Sequence, residues 1–64
     1  MMEHTIVLSD EELEELDGLL DTEIYNARSE LRRTRNPQFR EDVRRRLTIA
    51  RQLLVRIRKA HAPA

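Results

Sequence analysis

Apolar side chains recur along this chain at steps of three and four residues, in two runs. Leu13, Leu16, Leu20, Ile24, Ala27 and Leu31 form the first, and Phe39, Val43, Leu47, Ala50, Leu54 and Ile57 form the second. That spacing lines side chains up along one face of an α-helix. It predicts helix 1 over about 10–35 and helix 2 over about 37–60. Leu19 widens the first stripe, and Ile49 and Leu53 widen the second. Gly18 and Tyr25 fall on the back of helix 1, where an interior glycine costs roughly 1 kcal/mol against alanine. Tyr25 reads as an exposed residue, the alternative being a second contact surface shared with Gly18.

The ends of both helices are marked. Ser9 is a good N-cap, Glu12 follows three residues later, and the two predict a capping box. Leu8 and Leu13 occupy the positions of a hydrophobic staple. Asp10, Glu11 and Glu12 set negative charge at the positive end of the helix dipole. Asn36-Pro37 is the break. Proline pushes the residue before it out of the α region, asparagine caps well, and proline suits the first helical position. Arg56, Arg58 and Lys59 complement the C-terminal end of helix 2. Pro63 and the short alanine-rich tail are expected beyond that end. Thr5–Leu8 has an extended preference and reads as a loose strand or a tail.

So short a linker makes neighbouring helices antiparallel. Zipping outward from the turn sets Leu31 near Val43, Ala27 near Leu47, Ile24 near Ala50, Leu20 near Leu53 and Leu54, and Leu16 near Ile57. Small residues then face large ones at the middle levels, which suits interdigitation. Phe39 is expected to plug the core at the turn.

Charge changes this picture from one hairpin to two. Nine acids and no base occupy residues 1–27, while all twelve bases lie from Arg28 onward with only Glu30, Glu41 and Asp42 among them. Folding back sets the acidic start of helix 1 beside Arg51, Arg56, Arg58 and Lys59. The open end still keeps a net −5 and the turn end a net +5, for a total of zero. Two hairpins packed end to opposite end cancel these excesses, and a parallel pair would not. Stripes this broad also exceed what two helices can cover alone. The expected architecture is therefore all-α: a single helical-hairpin domain that dimerises into a four-helix bundle. The core and dimer contacts are assigned to Leu16, Leu20, Ile24, Ala27, Leu31, Phe39, Val43, Leu47, Ala50, Leu54 and Ile57.

Composition narrows the classes. A chain of 64 residues allows one domain and sits near the lower limit for a self-sufficient core. Charged residues make up 38% of it, yet periodic leucines and marked helix starts argue against disorder. It holds no cysteine, which excludes disulfides and thiolate metal sites and suits a reducing cytoplasm. No apolar run is long enough for a membrane span, and Thr5–Leu8 is too short for a signal peptide.

Candidate chemistry is sparse. Di-iron bundles need a Glu-x-x-His motif on a helix, and neither His4 nor His61 supplies one. Glu11, Glu12, Glu14 and Glu15 read as a solvated acidic face. Arg32, Arg33, Arg35, Arg44 and Arg45 are the candidate nucleic-acid contacts, since clustered arginines grip phosphates. Against that, consecutive arginines point in different directions and there are few aromatics for stacking. Arg46 projects beside its stripe, as Glu23 and Glu30 do beside theirs. It either pairs with one of them and fixes register, or lays its stem on the core and wets its tip. No cofactor site, nucleophile–base pair or phosphate loop is present, so an enzyme is not expected.

Two stretches carry a resemblance. Leu8-Ser9-Asp10-Glu11-Glu12 before a leucine-periodic helix, then Asn36-Pro37-Gln38-Phe39-Arg40 opening a second, resembles a group of short bacterial proteins with a Leu-Ser/Thr-Asp-Glu-Glu start and a Phe-Arg helix opening. The likeness spans roughly residues 7–57 and implies a helical hairpin, with no activity to carry over. In architecture the plan is similar to the plasmid repressor-of-primer protein, a hairpin dimer that binds RNA, though no binding residues match. The expected function is a small structural or interaction module acting through homodimerisation and a helical protein-binding surface. The alternative is a nucleic-acid-binding accessory protein using the arginine-rich turn end.

Overall fold

The computed structural model describes residues 2–61. Ser9 starts the first helix as its side chain predicts. Its backbone is extended (φ −76°, ψ 167°), its hydroxyl accepts from Glu12 N at 3.1 Å, and its own N–H donates to Glu12 Oε1 at 2.9 Å. Both halves of the capping box are thus made, and two amides left over at the helix start find partners. Helix α1 runs Asp10–Arg33. Residues 2–9 hold no regular element, and Met2, Ile6 and Val7 are exposed.

The turn is three residues long, Thr34 to Asn36. α1 stops slightly earlier than its periodicity predicts because Thr34 turns extended (φ −91°, ψ 141°) and its hydroxyl accepts from Asn36 N at 3.4 Å. Asn36 then caps the second helix, with Oδ1 accepting from Gln38 N at 3.0 Å and Phe39 N at 3.2 Å. Helix α2 runs Pro37–His61. The expectation for Pro63 and the tail lies outside the described residues.

The helices pack antiparallel, and among the described residues there is no strand. Their contact has two clusters. Toward the turn, Ala27, Val43 and Leu47 are buried with Leu31 beside them. Toward the open end, Leu20, Ala50, Leu54 and Ile57 are buried with Leu13 and Leu16 beside them, and Ile24 packs on both clusters. These are the groupings the zipped register predicts, except that Leu53, expected beside Leu20, is 40% exposed and lies outside both clusters. Ala27 and Ala50 at the middle levels let the helices approach closely. The smallest dimension of the molecule is 17 Å. Two stacked layers of helices, each roughly 10–12 Å wide, would need more than that. The core is therefore a single layer with two open flanks.

Candidate functional site

Ion pairs between the helices identify the two flanks. On one, Arg46 Nη2 lies 3.0 Å from Glu30 Oε2 and Nη1 lies 3.8 Å from Glu23 Oε1. Of the two readings open for Arg46, the pairing is the one observed, and it engages both carboxylates. On the other flank, Arg58 Nε lies 3.0 Å from Asp17 Oδ2, and Nη2 lies 3.3 Å from Asp17 Oδ1 and 3.4 Å from Asp21 Oδ2. Those hydrogen bonds hold the Asp17 carboxyl below its ordinary value of 3.8, against a smaller opposing effect of desolvation. Of the four bases expected beside the acidic start of α1, Arg58 is the one in ion-pair contact with it among the described residues.

The Arg46 flank carries the larger apolar exposure. Leu53 and Ile49 follow Arg46 by seven and three positions along α2, and Leu19 precedes Glu23 by four along α1, so helical geometry sets all three on that side. Leu19 is 58% exposed, Ile49 52% and Leu53 40%. These are the residues that widen the two stripes, and the hairpin core does not reach them. Ile49, Gln52, Leu53, Val55 and Arg56 line a shallow trough of about 560 Å³ along α2. Met2, Glu3, His4 and Thr5 line a separate cleft of about 750 Å³ with Arg56.

One core assignment needs correction. Phe39 is 43% exposed and does not plug the hairpin. In the observed register Leu31 is level with Val43, so Phe39 is level with the turn, beyond the end of α1. The position under the turn belongs instead to Arg40, which sequence reasoning missed. Its Nη1 donates to the carbonyl oxygens of Leu31 and Thr34. A base placed at the C-terminal carbonyls of a helix is favourable. The Phe-Arg pair at the start of helix 2 was the available signal.

The candidate phosphate contacts do not converge. Arg44 pairs with Glu41 at 3.8 Å, Arg45 with Asp42 at 3.1 Å, and Arg32 Nη2 donates to Ser29 Oγ at 3.5 Å. Arg33 and Arg35 are exposed. Helical spacing turns Arg32 and Arg33 about 100° apart, and Arg44 and Arg45 likewise. A different pair does come together: Arg28 and Arg51 line one cleft of about 380 Å³ with Asp21 and Arg58.

Among the described residues no group of three metal-ligating side chains occurs, and no helix is long and apolar enough to cross a membrane. Tyr25 is exposed on the back of α1, and Gly18 beside it meets open space. Comparison with protein-family models, curated proteins and solved structures gives no match for this chain.

Proposed function

We propose that this chain is a small non-catalytic interaction module of the cytoplasm, which pairs with a second copy into a four-helix bundle and acts through the helical surface so formed. The observation that carries the reading is the exposure of Leu19, Ile49 and Leu53 on one flank of the hairpin core. Apolar side chains grouped on one face mark interaction sites more often than chance exposure does. Surface area supports it. The accessible surface is 5795 Å² for a 7.6 kDa chain. This is about 1,500 Å² more than a compact monomer of that mass exposes. A standard interface buries about 800 Å² of each partner. The cysteine-free composition suits a reducing compartment. Sedimentation equilibrium tests the reading. A mass twice that of the chain at micromolar concentration is expected, and a stable monomer overturns it.

A second reading has one observation in its favour. Arg28 and Arg51 face the same cleft, and neither has a carboxylate partner within ion-pair distance among the described residues. With Arg32 one turn along α1 from Arg28, the base-rich turn end would hold a nucleic-acid backbone from this side. Binding of that kind weakens steeply with salt. Absence of any gel retardation at low salt removes this reading.

A further inference from the structure

We infer that the second copy seats on the Arg46 flank, antiparallel, about a two-fold axis passing Ile49. The inference rests on the self-association reading and adds the face, the orientation and the centre.

Residues seven apart form near-straight rows along a helix flank. On α2 one such row is Asp42, Ile49 and Arg56, and on α1 one is Glu12, Leu19, Asn26 and Arg33. All seven are exposed, and both rows lie on the Arg46 side. Each row has an acid at one end, a base at the other and an aliphatic residue between. A two-fold axis perpendicular to the helices lays each row antiparallel on its own copy. Asp42 and Arg56 lie equally far from Ile49, so Asp42 meets Arg56 of the second copy at both ends of the seam. Ile49 meets itself in the middle, with Leu53 beside it.

The α1 row has the same polarity. Folded on its own centre it would set Glu12 opposite Arg33 of the second copy and Leu19 opposite Asn26. Glu12 Oε1 is engaged by Ser9 N, which leaves Oε2 for the arginine. The centre of this row lies between Thr22 and Glu23. In the hairpin Leu20 and Ile24 pack in one cluster with Leu54 and Ala50, so Ile49 is level with about residue 25. The two centres therefore differ by about 4 Å at 1.5 Å per residue, which puts the α1 rows about 8 Å out of register on an axis at Ile49, so the α2 row alone sets the centre.

Net charge favours the same orientation. The acid-excess open end of each copy meets the base-excess turn end of the other, whereas a parallel pair joins like ends. Asp42 also pairs with Arg45 of its own helix, 3.1 Å away. Its second carboxylate oxygen can take the arginine across the seam.

Single cysteines test the seam, since the chain has none of its own. Ile49→Cys lies at the proposed axis, and Val55→Cys lies about 120° round α2 from it, where the trough meets the Arg28–Arg51 cleft. Both positions are more than half exposed, so neither change hollows the core. Under mild oxidation Ile49→Cys is expected to cross-link about tenfold faster than Val55→Cys, because a disulfide needs close, facing Cβ atoms. Asp42→Arg and Arg56→Asp are each expected to weaken the dimer about tenfold, and the double variant to recover to within about threefold, as a directly coupled pair does. A dimer in which Val55→Cys cross-links faster, or in which the two charge reversals simply add, places the seam elsewhere and overturns this inference while self-association stands. A monomer mass for the unaltered chain overturns both.

Discussion

Arg40 stands on α2 but completes α1: its Nη1 donates to the carbonyl oxygen of Thr34 at 3.0 Å, and also to that of Leu31. The last carbonyls of a helix have no partner within the helix. Glu30 O takes the amide of Thr34 at 2.9 Å, and Arg40 supplies the next. The contact joins turn, cap and register in one side chain. Arg40→Met keeps the stem and removes the donors. It is expected to lower stability by about 1.5 kcal/mol, as loss of a charge-assisted hydrogen bond does. Arg40→Lys keeps the charge but loses the fork and should fall between. Urea midpoints at one fixed protein concentration measure both, and an unchanged midpoint for Arg40→Met would show that the cap is idle.

At the other end of the hairpin, Arg58 bridges back to Asp17 and Asp21. The Asp17 carboxyl titrates below its ordinary 3.8 because Arg58 donates hydrogen bonds to it. A carboxyl whose folded pKa lies below its unfolded one stabilises the fold at pH above the unfolded value. That stabilisation is lost as pH falls through the folded value. The native chain should therefore lose more stability on acidification below about pH 4 than Asp17→Asn does, which has no charge there to lose. Thermal midpoints followed from pH 6 to pH 2 check the sign, and parallel curves would refute it.

Periodicity and capping residues are local properties, and they made the hairpin legible. Ser9 with Glu12 and Asn36 with Pro37 fixed where each helix begins to within a residue. The steps of three and four placed Ala27, Val43, Leu47 and Leu54 in the core. Phe39 was misplaced because its burial depends on what lies across from it. That depends on where α1 ends, which Thr34 decides through a turn and Arg40 through a contact nine residues from Leu31. The Arg28–Arg51 cleft was hidden for the same reason: its two arginines are far apart in the chain and meet only through register. The α2 row Asp42, Ile49 and Arg56 could have been read from the sequence. What it means depended on knowing which flank the core leaves open, and the Arg46 pairs supply that.

Ala27 is 1% exposed and packs with Val43 and Leu47. Ala27→Arg would drive a charged stem into the Val43 and Leu47 cluster, where neither helix can move aside without breaking the register. An unpaired charge or an overfilled core each costs several kcal/mol. In a chain this small that approaches the whole stability. Loss of the cooperative helical transition in circular dichroism is the expected result. A native-like melting curve would show that the two clusters do not form as described.

Gly18 offers the opposite test on the back of α1. Its φ is negative, and a Cβ built on it meets nothing within 4 Å. Gly18→Ala should therefore raise stability by about 0.5–1 kcal/mol through helix propensity and a less flexible unfolded chain. For a domain of this size that is a rise of about 2–8 °C in Tm. The position lies away from the Arg46 flank, so the dissociation constant of the dimer should change far less than the melting temperature. A gain in stability with no change in mass separates helix propensity from assembly. A loss of stability, or a weakened dimer, would mean that the back of α1 is a contact surface after all, shared with Tyr25.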